Sequence, residues 1–186
     1  MAAGSTRSAA QQQAPSLSSL SPAERSEVLD ALLTAHPELI GESERIASGL
    51  LADVSVEQVA SDGESGLSWI SLDALAARAG RVRGRGYVHE SEAAWELVEE
   101  AIEPFRSDLN RRAALSLIDA ATNLAIGIVA GLYRTREAEM GTVLAYAGDD
   151  TAMEVAEEIL RLAAKLGVPL PDEASGRLWP DWRELP

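Results

Sequence analysis

Residues Leu117 to Thr135 read LIDAATNLAIGIVAGLYRT. A helix that is apolar over most of its circumference must be buried, in a protein core or in a bilayer. Asp119 and Asn123 interrupt the run four residues apart, on one face. The longest apolar stretch around them, Ala113 to Leu132, only approaches span length and has no flanking tryptophans. These features predict a central helix of a soluble core over 117–135. Gly127 and Gly131 stand one turn apart on one side, and each costs a helix interior about 1 kcal/mol relative to alanine. A pair so placed predicts a second helix packed backbone-close against it. The G-x-x-x-G spacing also occurs in membrane helix pairs, but the polar interruptions favour soluble packing.

Helix-start signals recur on both sides of this stretch. Ser21-Pro22-Ala23-Glu24 has the form of a capping box with proline at the first helical position. Ser55-Val56-Glu57-Gln58 and Thr151-Ala152-Met153-Glu154 repeat the pattern, and Ser116-Leu117-Ile118-Asp119 is a weaker version. Apolar residues follow helical spacing at Val28, Leu29, Leu32 and Leu33. They do so again at Ala94, Val98, Ala101, Ile102, Phe105 and Leu109, and at Ala152, Ala156, Ile159, Leu160 and Ala163. Gly167 and Pro169 stop the last of these. The expected helices are 22–36, 38–53, 56–69, 72–79, 91–114, 117–135 and 150–166. Pro104 is expected to kink or divide the fifth, Gly63 and Gly66 weaken the third, and Thr142 to Tyr146 has the option of being extended. The fold class is all-α: an irregular antiparallel helical bundle, with a short HEAT-like helical-repeat stack as the alternative.

Within this frame the run Gly84-Arg85-Gly86-Tyr87-Val88-His89-Glu90, followed by Ala93-Ala94-Trp95-Glu96-Leu97, Glu103-Pro104-Phe105 and Gly131-Leu132-Tyr133-Arg134, resembles an uncharacterised helical domain of bacterial proteins. The resemblance spans roughly residues 22 to 166. It implies a helical fold and carries no activity or site residue with it.

Charge narrows the function classes. Thirty acids against sixteen bases give a net charge of −14, and Lys165 is the only lysine. Such a surface repels phosphate backbones and anionic headgroups, so nucleic acid and membrane are disfavoured partners. Another protein is the expected partner, with a second copy of the chain as a further candidate. There is no cysteine, which removes disulfides and thiolate chemistry and is compatible with a cytoplasmic location. Residues 1–20, rich in Ala, Ser and Gln, read as a disordered tail. Residues 21–168 read as one helical domain, and 169–186 as a C-terminal tail carrying Trp179 and Trp182.

No catalytic pattern stands out. His36 and His89 are the only histidines, and His89-Glu90 begins like a zincin motif, but Ala93 stands where the second histidine belongs. Gly148-Asp149-Asp150 lacks the alternating acids of an EF-hand and reads as a helix start. Gly63-Glu64-Ser65-Gly66-Leu67 fails the nucleophile-elbow pattern at its last position, and neither Ser65 nor Ser68 has a histidine nearby in sequence. Glu92, Glu96, Glu99, Glu100 and Glu103 share a helical face that reads as solvated. No pattern calls for a metal or a cofactor.

Three places remain as candidates. Asp119 and Asn123 form either a ligand-orienting pair in an interhelical pocket, or a cap acid with its neighbour. Arg78, Arg81, Arg83 and Arg85, with Tyr87, crowd four cations into a glycine-rich loop. They serve either to grip an anion or acidic partner, or to neutralise the glutamates of 92–103 while Val82 and Tyr87 anchor the loop. Trp179 and Trp182, three apart among prolines, form either an exposed docking pair or a fold-back onto the core. Together these favour a non-enzymatic helical protein–protein interaction module, in one form an acidic inhibitor or immunity-type protein. The alternative is a small-molecule-binding protein or enzyme with a pocket at Asp119 and Asn123.

Overall fold

The computed structural model of the protein describes residues 15–82, 84, 86–137, 141–171, 174 and 177–182. The described residues form nine α-helices, two short 3-10 turns and one two-stranded hairpin, which is the all-α class. No helix among them is long and apolar enough to cross a membrane. The chain divides into two compact units, Met1–Gly49 and Leu50–Pro186.

In the first unit a single helical turn, α1 (Pro15–Ser18), lies in what the sequence predicts as a disordered tail; residues 1–14 of that tail are outside the described residues. α2 (Pro22–Ala35) opens on the expected capping box. The Ser21 hydroxyl accepts from the Glu24 amide at 3.3 Å, and the Ser21 amide donates to the Glu24 carboxylate at 2.8 Å. A 3-10 turn, Pro37–Leu39, leads into α3 (Ile40–Ala52), which begins in this unit and ends in the next. Neither α2 nor α3 contains a buried residue. The stripe expected to pack, Val28, Leu29, Leu32 and Leu33, is instead open, with only Leu33 half-buried.

The second unit is built around α7 (Ile118–Arg134), in which every residue from Leu124 to Tyr133 is buried. α4 (Val56–Ser68) crosses it at the two glycines. A Cβ on Gly127 would meet the Cβ of Val59 at 2.6 Å, and one on Gly131 the carbonyl oxygen of Ala60 at 2.7 Å. The backbones touch, as the glycine spacing predicts. α6 (Glu90–Ala114) and α9 (Thr151–Lys165) pack on the other sides of α7. Val98, Ile102 and Leu109 of α6, and Val155, Ala156, Ile159 and Ala163 of α9, join one hydrophobic cluster with it. A smaller cluster gathers Leu75 of α5 (Leu72–Arg78), Val88, Ala93, Ala94 and Leu97, with Val143 of α8 (Val143–Ala147).

Several boundaries depart from the sequence reading. Ser116 does not cap α7: it closes α6, with φ +59°. Its amide donates to the Ala113 carbonyl at 2.9 Å and the Leu117 amide to Arg112 at 3.0 Å, a Schellman ending. Thr151 is the first helical residue rather than the cap, a position held by Asp150 without a side-chain bond. Ser71 caps α5 by accepting from Ala74 at 3.1 Å, a cap the sequence reading did not name for the helix it places at 72–79. Pro104 sits on the exposed side of α6 and does not divide it. Residues 143–147 are helical, not extended. The arginine-rich loop is a hairpin, β1 (Gly80–Val82) antiparallel to β2 (Gly86–Val88), with Arg81 opposite Tyr87. Gly80, Gly84 and Gly86 all take positive φ there, which is what their glycines allow.

Candidate functional site

A cleft of about 780 Å³ opens where the α3–α4 link and the start of α4 face α6 and α7. Val54, Val59, Phe105 and Leu124 supply its apolar wall, and Asp53, Ser55, Gln58, Asp62, Ser107, Asp108, Arg111 and Arg112 its polar lining. Asp108 organises one side. It takes Arg111 on Oδ1 (Nε at 3.0 Å, Nη2 at 2.5 Å) and Arg112 on Oδ2 (Nε at 3.0 Å). Arg112, only 11% exposed, also donates to the Leu51 carbonyl. The helical spacing of Asp108, Arg111 and Arg112 makes this three-way pairing local. The proposed pocket pair relates to this cleft unevenly. Asn123 stands beside it and donates to the Val54 carbonyl at 3.4 Å, tying the α3–α4 link to α7. Asp119 is exposed in the first turn of α7 and does not line the cleft. Asp53, Asp62 and Asp108 were passed over in sequence because each lies on a different helix or link, so nothing linear connects them.

The arginine hairpin is partly internal. Arg78 donates to Glu100 at 2.6 Å, and that hydrogen bond holds the Glu100 carboxyl below its ordinary range. Arg81 is exposed, while Arg83 and Arg85 lie outside the described residues. Tyr87 is not the anchor that the charge-neutralising alternative expects. It is 67% exposed and edge-on to His89 at 5.2 Å, and Val88 enters the core in its place. The glutamate face of α6 is likewise not wholly solvated, because Arg106 donates to Glu99 at 2.5 and 2.9 Å and to Glu158 of α9 at 2.7 Å.

Trp179 and Trp182 are 3% and 9% exposed, so they are core residues and not an exposed docking pair. Trp182 stacks edge-on to Tyr133 at 5.1 Å. The Tyr133 hydroxyl donates to Asp181 at 2.5 Å, which raises its pKa above the ordinary tyrosine value, and the Arg136 guanidinium lies over the ring, 3.9 Å from its centroid. Apolar burial of two indoles plus this polar clasp favours the fold-back over solvent. The exposed indole is a different one, Trp69 at the end of α4, 85% exposed.

His36 and His89 are both exposed and sit in different units. Among the described residues no group of three or more His, Asp or Glu side chains is placed to hold a metal ion. Ser65 and Ser68 lie within or at the end of α4 and are exposed. The first unit presents a different kind of surface. Val28, Leu29, Leu32, Leu39, Ile40 and Ile46 are all exposed, on helices that also carry Glu24, Glu27, Asp30, Glu42 and Glu44. No family model matches the chain, and no curated protein and no solved structure matches it either.

Proposed function

We propose that the chain is a non-enzymatic interaction module whose N-terminal unit docks a basic, amphipathic helix of a partner protein. The observation that carries this reading is the set of open apolar side chains on α2 and α3, two helices without one buried residue. Apolar helical faces are stable in water when something covers them, and a helix laid in an apolar groove is a recurrent mode of recognition. Charge selects the occupant. From residue 15 to residue 49 there are six acids and two arginines, and Arg45 is already held by Glu42 at 2.5 and 2.9 Å. A second copy of the unit would bring acidic rim against acidic rim, whereas lysines and arginines flanking an apolar helix would meet them with opposite sign.

The test uses two synthetic helical peptides with the same leucine positions, one flanked by lysines and the other by glutamates. Fluorescence anisotropy on the full chain should show binding of the lysine peptide, weakening as salt rises, and none of the glutamate peptide. Leu29→Asp with Leu32→Asp should abolish it while the circular dichroism spectrum is unchanged. Equal binding of both peptides, binding of neither, or binding that survives the double variant would overturn the reading.

A further inference from the structure

The cleft beside Asp108 invites a ligand of a definite sign, independently of the N-terminal unit. We infer that it binds a small organic cation, an amine carried on an apolar or aromatic body. Its volume of about 780 Å³ falls within the range of small-molecule sites. Val54, Val59, Phe105 and Leu124 offer the apolar contact that such a body needs.

The choice of cation follows from how the charges are used. Two arginines line the cleft, which at first suggests an anion. Both are spent on Asp108, Arg111 through two nitrogens and Arg112 through Nε with a further bond to the Leu51 carbonyl. An anion reaching their remaining N–H groups would enter a lining that already carries more carboxylate than guanidinium. Asp53 and Asp62 make no ion pair among the described residues, and Asp62 accepts only from Gln58 at 2.8 Å. Three carboxylates against two guanidiniums leave the lining one negative charge. The amino end of α4 opens nearby, but the Ser55 hydroxyl already caps it, accepting from the Gln58 amide at 3.3 Å. An ammonium paired with Asp53 or Asp62, its body against Phe105 and Leu124, satisfies both the charge and the wall.

Three probes that share one ring separate charge from shape: phenethylamine, phenethyl alcohol and phenylacetate. Titrated into the full chain at low salt and followed by calorimetry or ligand-observed NMR, phenethylamine should bind up to about fivefold more tightly than the alcohol, and phenylacetate should not register. Asp53→Asn with Asp62→Asn, both at exposed positions, should bring the amine down to the level of the alcohol without moving the melting temperature. Ser107→Trp, which places an indole across the cleft from its lining, should abolish amine binding. A preference for phenylacetate, equal affinity for amine and alcohol, no binding of the amine, or amine binding unchanged by either variant would overturn the inference.

Discussion

A methyl group on Gly131 would stand 2.7 Å from the Ala60 carbonyl oxygen and 3.3 Å from its Cα, atoms that belong to backbone and cannot rotate away. Gly66, exposed within α4, has nothing within 4 Å of the same imaginary atom. The two positions therefore give opposite signs for one substitution. Gly131→Ala should lose about 1–2 kcal/mol in urea denaturation, because the crowding outweighs the gain in helix propensity. Gly66→Ala should gain up to about 1 kcal/mol, since only propensity changes. The glycine pair was legible in the sequence because its cost needs a reason, and close packing is the commonest one. Ser116 was misread because a hydroxyl before an acidic turn looks like a helix start. Only the left-handed φ and the Leu117–Arg112 hydrogen bond show that it ends the preceding helix.

Between elements, the pairing of α4 with α7 is tied at one end by Glu57 and Arg134, joined by two hydrogen bonds at 3.1 and 2.7 Å. That bonding, with the charge of Arg134, holds the Glu57 carboxyl below its ordinary value. A carboxyl whose pKa is lower folded than unfolded adds stability that is complete above the unfolded value. The contribution is lost as pH falls through the folded value. Glu57→Gln should therefore lower the melting temperature slightly at neutral pH, Glu57 being largely exposed. It should make the decline of melting temperature on the acid side shallower; an unaltered acid limb would show that the tie contributes nothing. Helix identity and approximate bounds were readable because apolar spacing and caps are local signals. The hairpin was not, since Gly80, Gly84 and Gly86 read as a loop until their positive φ values are seen to turn the chain back on itself.

For the molecule as a whole, burial is uneven. α7 is buried over most of its length, whereas α2 and α3 have no buried residue. Amide exchange follows the free energy of local opening. The amides of Pro22–Ala35 should exchange within the fast regime, while those of Leu124–Tyr133 should exchange only through global unfolding. Matching protection in the two segments would contradict that division. Composition and helical spacing revealed the all-α class, because they depend on residue type. The cleft was hidden, and Trp179 and Trp182 stayed open between docking and fold-back, because each feature joins residues far apart in the chain: Asp53 with Asp108, and Trp182 with Tyr133. The depths of these indoles also make the chain its own optical gauge. A collisional quencher in solution reaches Trp69 freely and is kept from Trp179 and Trp182. The red-shifted, quenchable part of the emission therefore reports on the far end of α4, and, once the half-buried Trp95 is replaced by phenylalanine, the shielded part on whether the C-terminal turn is still in place.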